Sequence, residues 1–128
     1  MIALLEQLYT RVWREHDPEG ALAGLPDDFE WIVPGFPGGD HATGPHGTIE
    51  FFRDWIDQWA ELQVDWRLEQ SSPDIVLATV EMRGTGRSSG VPVELRFAQI
   101  WSFAGGKPRS MVFHNDVDEG RRAAGLDP

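Results

Sequence analysis

The apolar residues of this chain change their period halfway along it, from the 3.6 of a helix to the 2 of a strand. That switch restricts the chain to folds that set a helical layer against a sheet. In the first half, Leu5, Leu8, Tyr9, Val12 and Trp13 follow the spacing of a helix with one buried stripe, which should stop near His16. Asp17 and Pro18 can cap a second, short helix with Leu22 and Leu25 facing inward, and Pro26 ends it. Phe29, Trp31 and Val33 alternate with Glu30 and Ile32 as a short strand. The stretch PGFPGGDHATGPHG then carries eight Gly and Pro in fourteen residues and reads as a long irregular connection. Pro45 opens a third helix, its apolar face set by Phe52, Ile56 and Trp59 and widened by Phe51 and Trp55.

From Leu62 onward the alternation takes over. Leu62, Val64, Trp66 and Leu68 interleave with Gln63, Asp65, Arg67 and Glu69, and DIVLATVEM, VPVELRFAQIWSF and RSMVFHNDV read as three more strands. Short turn-prone joints at Ser72-Pro73-Asp74, Ser88-Ser89-Gly90 and Gly105-Gly106 make consecutive strands antiparallel neighbours. Three helices followed by a four-strand meander give an α+β layout with one sheet face covered by helices.

The 128 residues suit one domain, residues 1–128, and a composition 41% hydrophobic with six Trp and seven Phe is enough for a packed interior. A net charge of −10 with a pI near 4.6 repels phosphate backbones and anionic lipid, so neither nucleic acid nor membrane is an expected partner. The N-terminal MIALLEQLYTRVW has neither a basic lead nor a long apolar run, so a signal peptide or membrane span is not expected. The absence of cysteine is compatible with a cytoplasmic setting. Four scattered histidines show no metal-ligand spacing, and no phosphate loop or nucleophile elbow occurs, so no metal or cofactor is expected.

The segments LYTRVWREHDPEGALAGLPDDFEW, TGPHGTIEFF, RGTGRSSGVPVELRFAQIWSF and DEGRRAAGL, spread over nearly the whole chain, carry a resemblance. They resemble the cone-shaped α+β superfamily of nuclear transport factor 2, ketosteroid isomerase, scytalone dehydratase and the SnoaL-like polyketide cyclases. The resemblance implies three N-terminal helices packed on a curved, mainly antiparallel sheet. It specifies no single reaction, because this fold hosts isomerases, dehydratases, hydrolases, cyclases and binding proteins. Ungapped comparison with ketosteroid isomerase puts Tyr9 where the isomerase has an oxyanion-donating tyrosine. The isomerase's general-base aspartate falls on Val33, which cannot take a proton, and its second oxyanion donor, a protonated carboxylic acid, falls on Gln99.

The resemblance also makes a pocket the expected site. Trp13, Trp31, Phe51, Phe97, Trp101, Met111 and Phe113 would wall it, with Tyr9, Gln99 and Asn115 as hydrogen-bonding points. Aromatic side chains filling the cone outright is the competing reading. On the last strand, regular alternation from Met111 points Asn115 inward beside Gln99 and His114 outward, whereas a one-residue bulge exchanges them. Asp40 and His41, after the first strand, form an expected acid/base pair at the cone's mouth. Val80, Met82, Ile100 and Val112 are expected on the sheet face away from the helices, where packing of two such faces would form a homodimer. Two functions follow. One is a SnoaL-like isomerase, cyclase, dehydratase or hydrolase acting on a polyketide-, terpenoid- or steroid-like compound. The other is non-catalytic: a module that holds a small apolar or aromatic organic ligand without turnover, or a dimeric interaction module, with a closed or amide-lined pocket.

Overall fold

A computed structural model describes residues 1–34 and 41–127. Helix α1 (Ile2–Trp13) buries Leu5, Leu8, Tyr9 and Val12, as its 3.6-residue spacing requires. The chain leaves it through His16, whose φ of 55° lies in the left-handed region and turns the backbone back on itself. Helix α2 (Pro18–Leu22) follows at once, because the Asp17 carboxylate accepts the Gly20 N–H at 2.9 Å and Pro18 occupies the first turn. That backbone hydrogen bond, helped by Arg11, holds the Asp17 carboxyl below the usual carboxylate range. Strand β1 (Glu30–Ile32) and strand β2 (His41–Thr43) lead to helix α3 (Gly44–Asp57). Gly44 begins α3 at a φ of +73°, and a β-carbon there would lie 2.9 Å from the Asp27 carbonyl oxygen, so both conformation and space call for glycine.

Four long strands complete the sheet: β3 (Trp59–Ser72), β4 (Ile75–Gly86), β5 (Pro92–Ala104) and β6 (Lys107–His114). Their order is β2-β1-β6-β5-β4-β3, antiparallel throughout except that β1 runs parallel to β6 and pairs Trp31 with Met111. The meander therefore lies as its turns predict, and β1 joins it from the other end of the sequence. Strand β2 falls within the stretch expected to be irregular. A helix beyond the three expected, α4 (Val117–Ala123), closes the chain, its N-terminus capped by Asp116, which accepts from the Asp118 and Glu119 N–H groups.

The core lies between the sheet and α1–α3. Cross-strand pairs Val76 with Trp101, Ala78 with Gln99, and Val80 with Phe97 face it, together with Met82 and Met111. Val80 and Met82 thus point toward the helices, not away from them. Strand β4 has apolar residues on both faces, and its register with β5 decides which set goes inward. Ile100 does face outward, with Leu77 and Ala98, but the end of the chain covers this patch through Ala124 and Leu126. Helix α4 is pinned there by Arg121, which donates to Glu69 on β3 at 2.9 Å. That bond, followed by one from Arg67, holds the Glu69 carboxyl below the usual range.

Candidate functional site

A cavity of about 490 Å³ opens between α1, α3 and the inner face of the sheet. Among the residues expected to wall it, Trp13, Trp31, Phe51, Phe97 and Phe113 do so, and Gln99 and Asn115 supply polar groups. Phe52 and Trp55 of α3, Met82, Leu95 and Val33 complete the apolar lining. The walls are braced by ring contacts. Trp31 lies 4.9 Å from Phe52 and 5.8 Å from Phe51 between ring centres, and Phe97 lies 4.8 Å from Phe113. Packing of this kind leaves a bounded space. The aromatic side chains surround the cone's interior and do not fill it.

Tyr9, Trp101 and Met111 are placed differently from their expectation. All three are buried in the core behind the cavity wall and do not line it. The reason for Tyr9 and Trp101 is a chain of hydrogen bonds. Trp101 Nε1 donates to the Tyr9 hydroxyl at 2.8 Å, and the hydroxyl donates in turn to Gln99 Oε1. Burial pushes the Tyr9 hydroxyl well above the usual tyrosine range, with the Trp101 bond acting in the opposite direction. Tyr9 therefore reaches the cavity only through Gln99.

Only His41 of the expected loop pair is among the described residues, and Asp40 lies outside them. His41 pairs with Ile32 across β1 and β2, while Trp31 and Ala42 take the inner side, so alternation turns His41 to the opposite face. There it contacts the Glu30 carboxylate, away from the cavity.

On β6 the alternation is regular up to His114, which pairs with Ala98, and the one register shift against β5 lies upstream, near Arg109. Phe113, not Asn115, is the cross-strand partner of Gln99. The strand ends at His114, Asn115 sits exposed in the bend that follows, and Asp116 caps α4. His114 and Asn115 both border the cavity's mouth, so the alternatives of one or the other are replaced by both. Glu119 of α4 joins them, its carboxylate 3.9 Å from His114 Nδ1. This pair was not legible beforehand, because it forms only when α4 folds back over the sheet. Trp55 did leave a signal, in the unusually wide apolar face of the third helix.

Two features bound the chemistry. His114 and Glu119 are the only titratable side chains among the described lining residues. Trp31 Nε1 is buried with no hydrogen-bond partner among the described residues. Among those residues, no group of three or more His, Asp and Glu is arranged to hold a metal ion, and no helix is long and apolar enough to cross a membrane.

This architecture, a helical layer closing one face of a six-stranded sheet over an apolar cavity, defines a class of α+β cone proteins. The chain belongs to the SnoaL-like family, whose domain model matches residues 5–111. Solved structures share the fold. An NTF2-like protein from Burkholderia pseudomallei is 23% identical over 94% of each chain with a TM-score of 0.77. TerC, co-crystallised with polyporic acid, is 24% identical over 90% of each chain with a TM-score of 0.75. RV0760c from Mycobacterium tuberculosis, in complex with estradiol-17beta-hemisuccinate, is 22% identical over 91% of this chain and 94% of its own, with a TM-score of 0.72. Identities this low establish a common fold and not a common ligand. No curated protein sequence matches the chain.

Proposed function

We propose that this protein binds a small, flat, mostly apolar organic molecule of polyketide, terpenoid or steroid type in the cone, anchored by one hydrogen bond at Gln99. The observation that carries this reading is the cavity of about 490 Å³, whose described lining is aromatic and aliphatic except for the Gln99 amide and the polar groups at its mouth. Such a space suits a molecule of three or four fused rings. The structural relatives co-crystallised with polyporic acid and with estradiol-17beta-hemisuccinate support the same size class. Calorimetric titration with a panel of planar polycyclic compounds tests it. At least one should bind, and Val33→Phe, which puts a ring into the cavity, should abolish that binding while circular dichroism stays native. Binding that survives in the blocked variant, or a panel with no binder, would refute the reading.

Binding without turnover stands first because, among the described residues, the interior holds no base: Val33 lines the cavity with an isopropyl group, and His41 faces the other side of the sheet. The enzyme reading rests on a different observation, the His114–Glu119 pair at the mouth. There Glu119 can orient the imidazole through Nδ1 and leave Nε2 to exchange a proton with a ligand atom near the opening. An isomerase, cyclase, dehydratase or hydrolase of this kind would depend on His114 and not on His41. A cytoplasmic setting and homodimerisation through the outer sheet face belong to the same proposal. With the apolar outer patch covered by α4, such a dimer would rest on charged residues.

A further inference from the structure

The hydrogen-bond chain behind the cavity has a direction, and the direction is fixed at its far end. An indole N–H can only donate, so Trp101 occupies a lone pair of the Tyr9 oxygen, 2.8 Å away. The Tyr9 proton must then go to its other neighbour, Gln99, and requires an oxygen there. Reversing the Gln99 amide would aim a second donor at the Tyr9 oxygen and leave the hydroxyl proton with no acceptor, in a side chain that is only 2% exposed. Gln99 is thus held with Oε1 toward Tyr9, and its NH₂ group is left for the cavity it lines. The indole nitrogens of the tryptophans in the wall can only donate, and that of Trp31 is itself buried. Among the described side chains, the inner walls therefore offer the Gln99 NH₂ and, with Gln99 Oε1 engaged by Tyr9, no strong acceptor; the acceptors lie only at the mouth, on His114, Asn115 and Glu119.

We propose that this polarity makes the cavity selective for a ligand whose buried polar atom is a bare hydrogen-bond acceptor, a ketone or quinone oxygen, over the corresponding alcohol. We further propose that Trp101, which does not touch the ligand, is the positioning residue that sets the selectivity through Tyr9. The inference rests on the binding reading above and names the substrate class for that site. An alcohol bound in the same place also accepts from Gln99, but its own proton meets no acceptor and is buried unpaired. The preference is independent of charge on Gln99, since an amide does not titrate.

Three flat tricyclic probes of nearly equal size separate the possibilities: fluorenone, fluorenol and fluorene, each titrated calorimetrically. Fluorenone should bind most tightly, and fluorenol about tenfold or more weakly. In Trp101→Phe, Tyr9 is free to turn its proton away and Gln99 to reverse, so the ketone-to-alcohol ratio should fall toward one. Tyr9→Phe provides a second variant, which frees Gln99 directly and should collapse the same ratio. Wild-type protein that binds fluorenol as tightly as fluorenone, or fluorene as tightly as either, overturns the polarity proposal while leaving the binding reading intact. So does a folded Trp101→Phe variant with an unchanged ratio. Failure of all three probes to bind overturns both.

Discussion

At the scale of single residues, the side chain with most consequence is one that does not line the cavity. Tyr9 is the protein's one tyrosine, and its hydroxyl is satisfied on both sides, accepting from Trp101 and donating to Gln99. Burial raises its ionisation above the ordinary tyrosine value of about 10. A proton bound more tightly in the folded than the unfolded state stabilises the fold fully below the unfolded value, and that stabilisation drains away as pH rises above it. Tyrosinate absorbance should therefore not rise around pH ~10 in native protein. It should appear only at higher pH, together with loss of the circular dichroism signal. A separate, earlier tyrosinate transition in folded protein would show that the hydroxyl is open to water. Tyr9 could be placed on the inner face from its helical spacing alone. Its partner could not, because Gln99 and Trp101 reach it only through the register of β5, which one-dimensional pattern does not encode.

Among the elements, α4 shows most clearly where pattern stops and packing begins. Seven residues make too short a helix to persist by itself. It persists here because Asp116 caps it, Arg121 ties it to Glu69, and it lies on Leu77, Ala98 and Ile100. Close approach is possible because Gly120 faces the sheet: a β-carbon there would lie 2.5 Å from that of Ala98 and 3.3 Å from that of His114. Helix propensity alone makes Gly→Ala favourable by about 1 kcal/mol. Gly120→Ala is expected to do the opposite, lowering the melting temperature, and Ala98→Gly in the same chain should restore part of the loss. A Gly120→Ala variant more stable than wild type would mean that α4 does not sit on the sheet as described. The helices α1 to α3 and the four long strands were readable because their periods are clean and their ends are marked by Asp17-Pro18, Pro45 and the glycine-rich turns. Strand β4 was readable as a strand but not as a face, since Ile75 and Leu77 compete with Val76, Val80 and Met82 for the interior. Strand β2 has three residues and no period to detect.

For the molecule as a whole, the outer sheet face is laced by charge, with Arg83 paired to Asp65 and Arg96 to Glu81, each at 3.5 Å. If two copies associate through it, the contact should weaken as salt screens these groups, and light scattering at micromolar concentration should show a dimer at low ionic strength that dissociates near about 1 M salt. A monomer at every salt concentration, or a dimer indifferent to salt, would contradict assembly through this face. The cavity's existence was legible from its aromatic content and the family resemblance, as were Gln99 and Asn115 among its polar points, while the placing of His114 and Glu119 together at its mouth was not. That placing depends on which strand ends where and on a helix that returns to the mouth. That arrangement has a consequence for biosynthesis. Trp31 and Val33, on or just after β1, wall the cavity, but β1 lies beside β6, from the far end of the sequence. During synthesis the helices and the first strand leave the ribosome long before β6, so they wait with one edge of the cone unmade. No nascent chain that stops short of Phe113 can contain the whole cavity, so a molecule of the proposed kind could aid folding only after translation has reached the last strand.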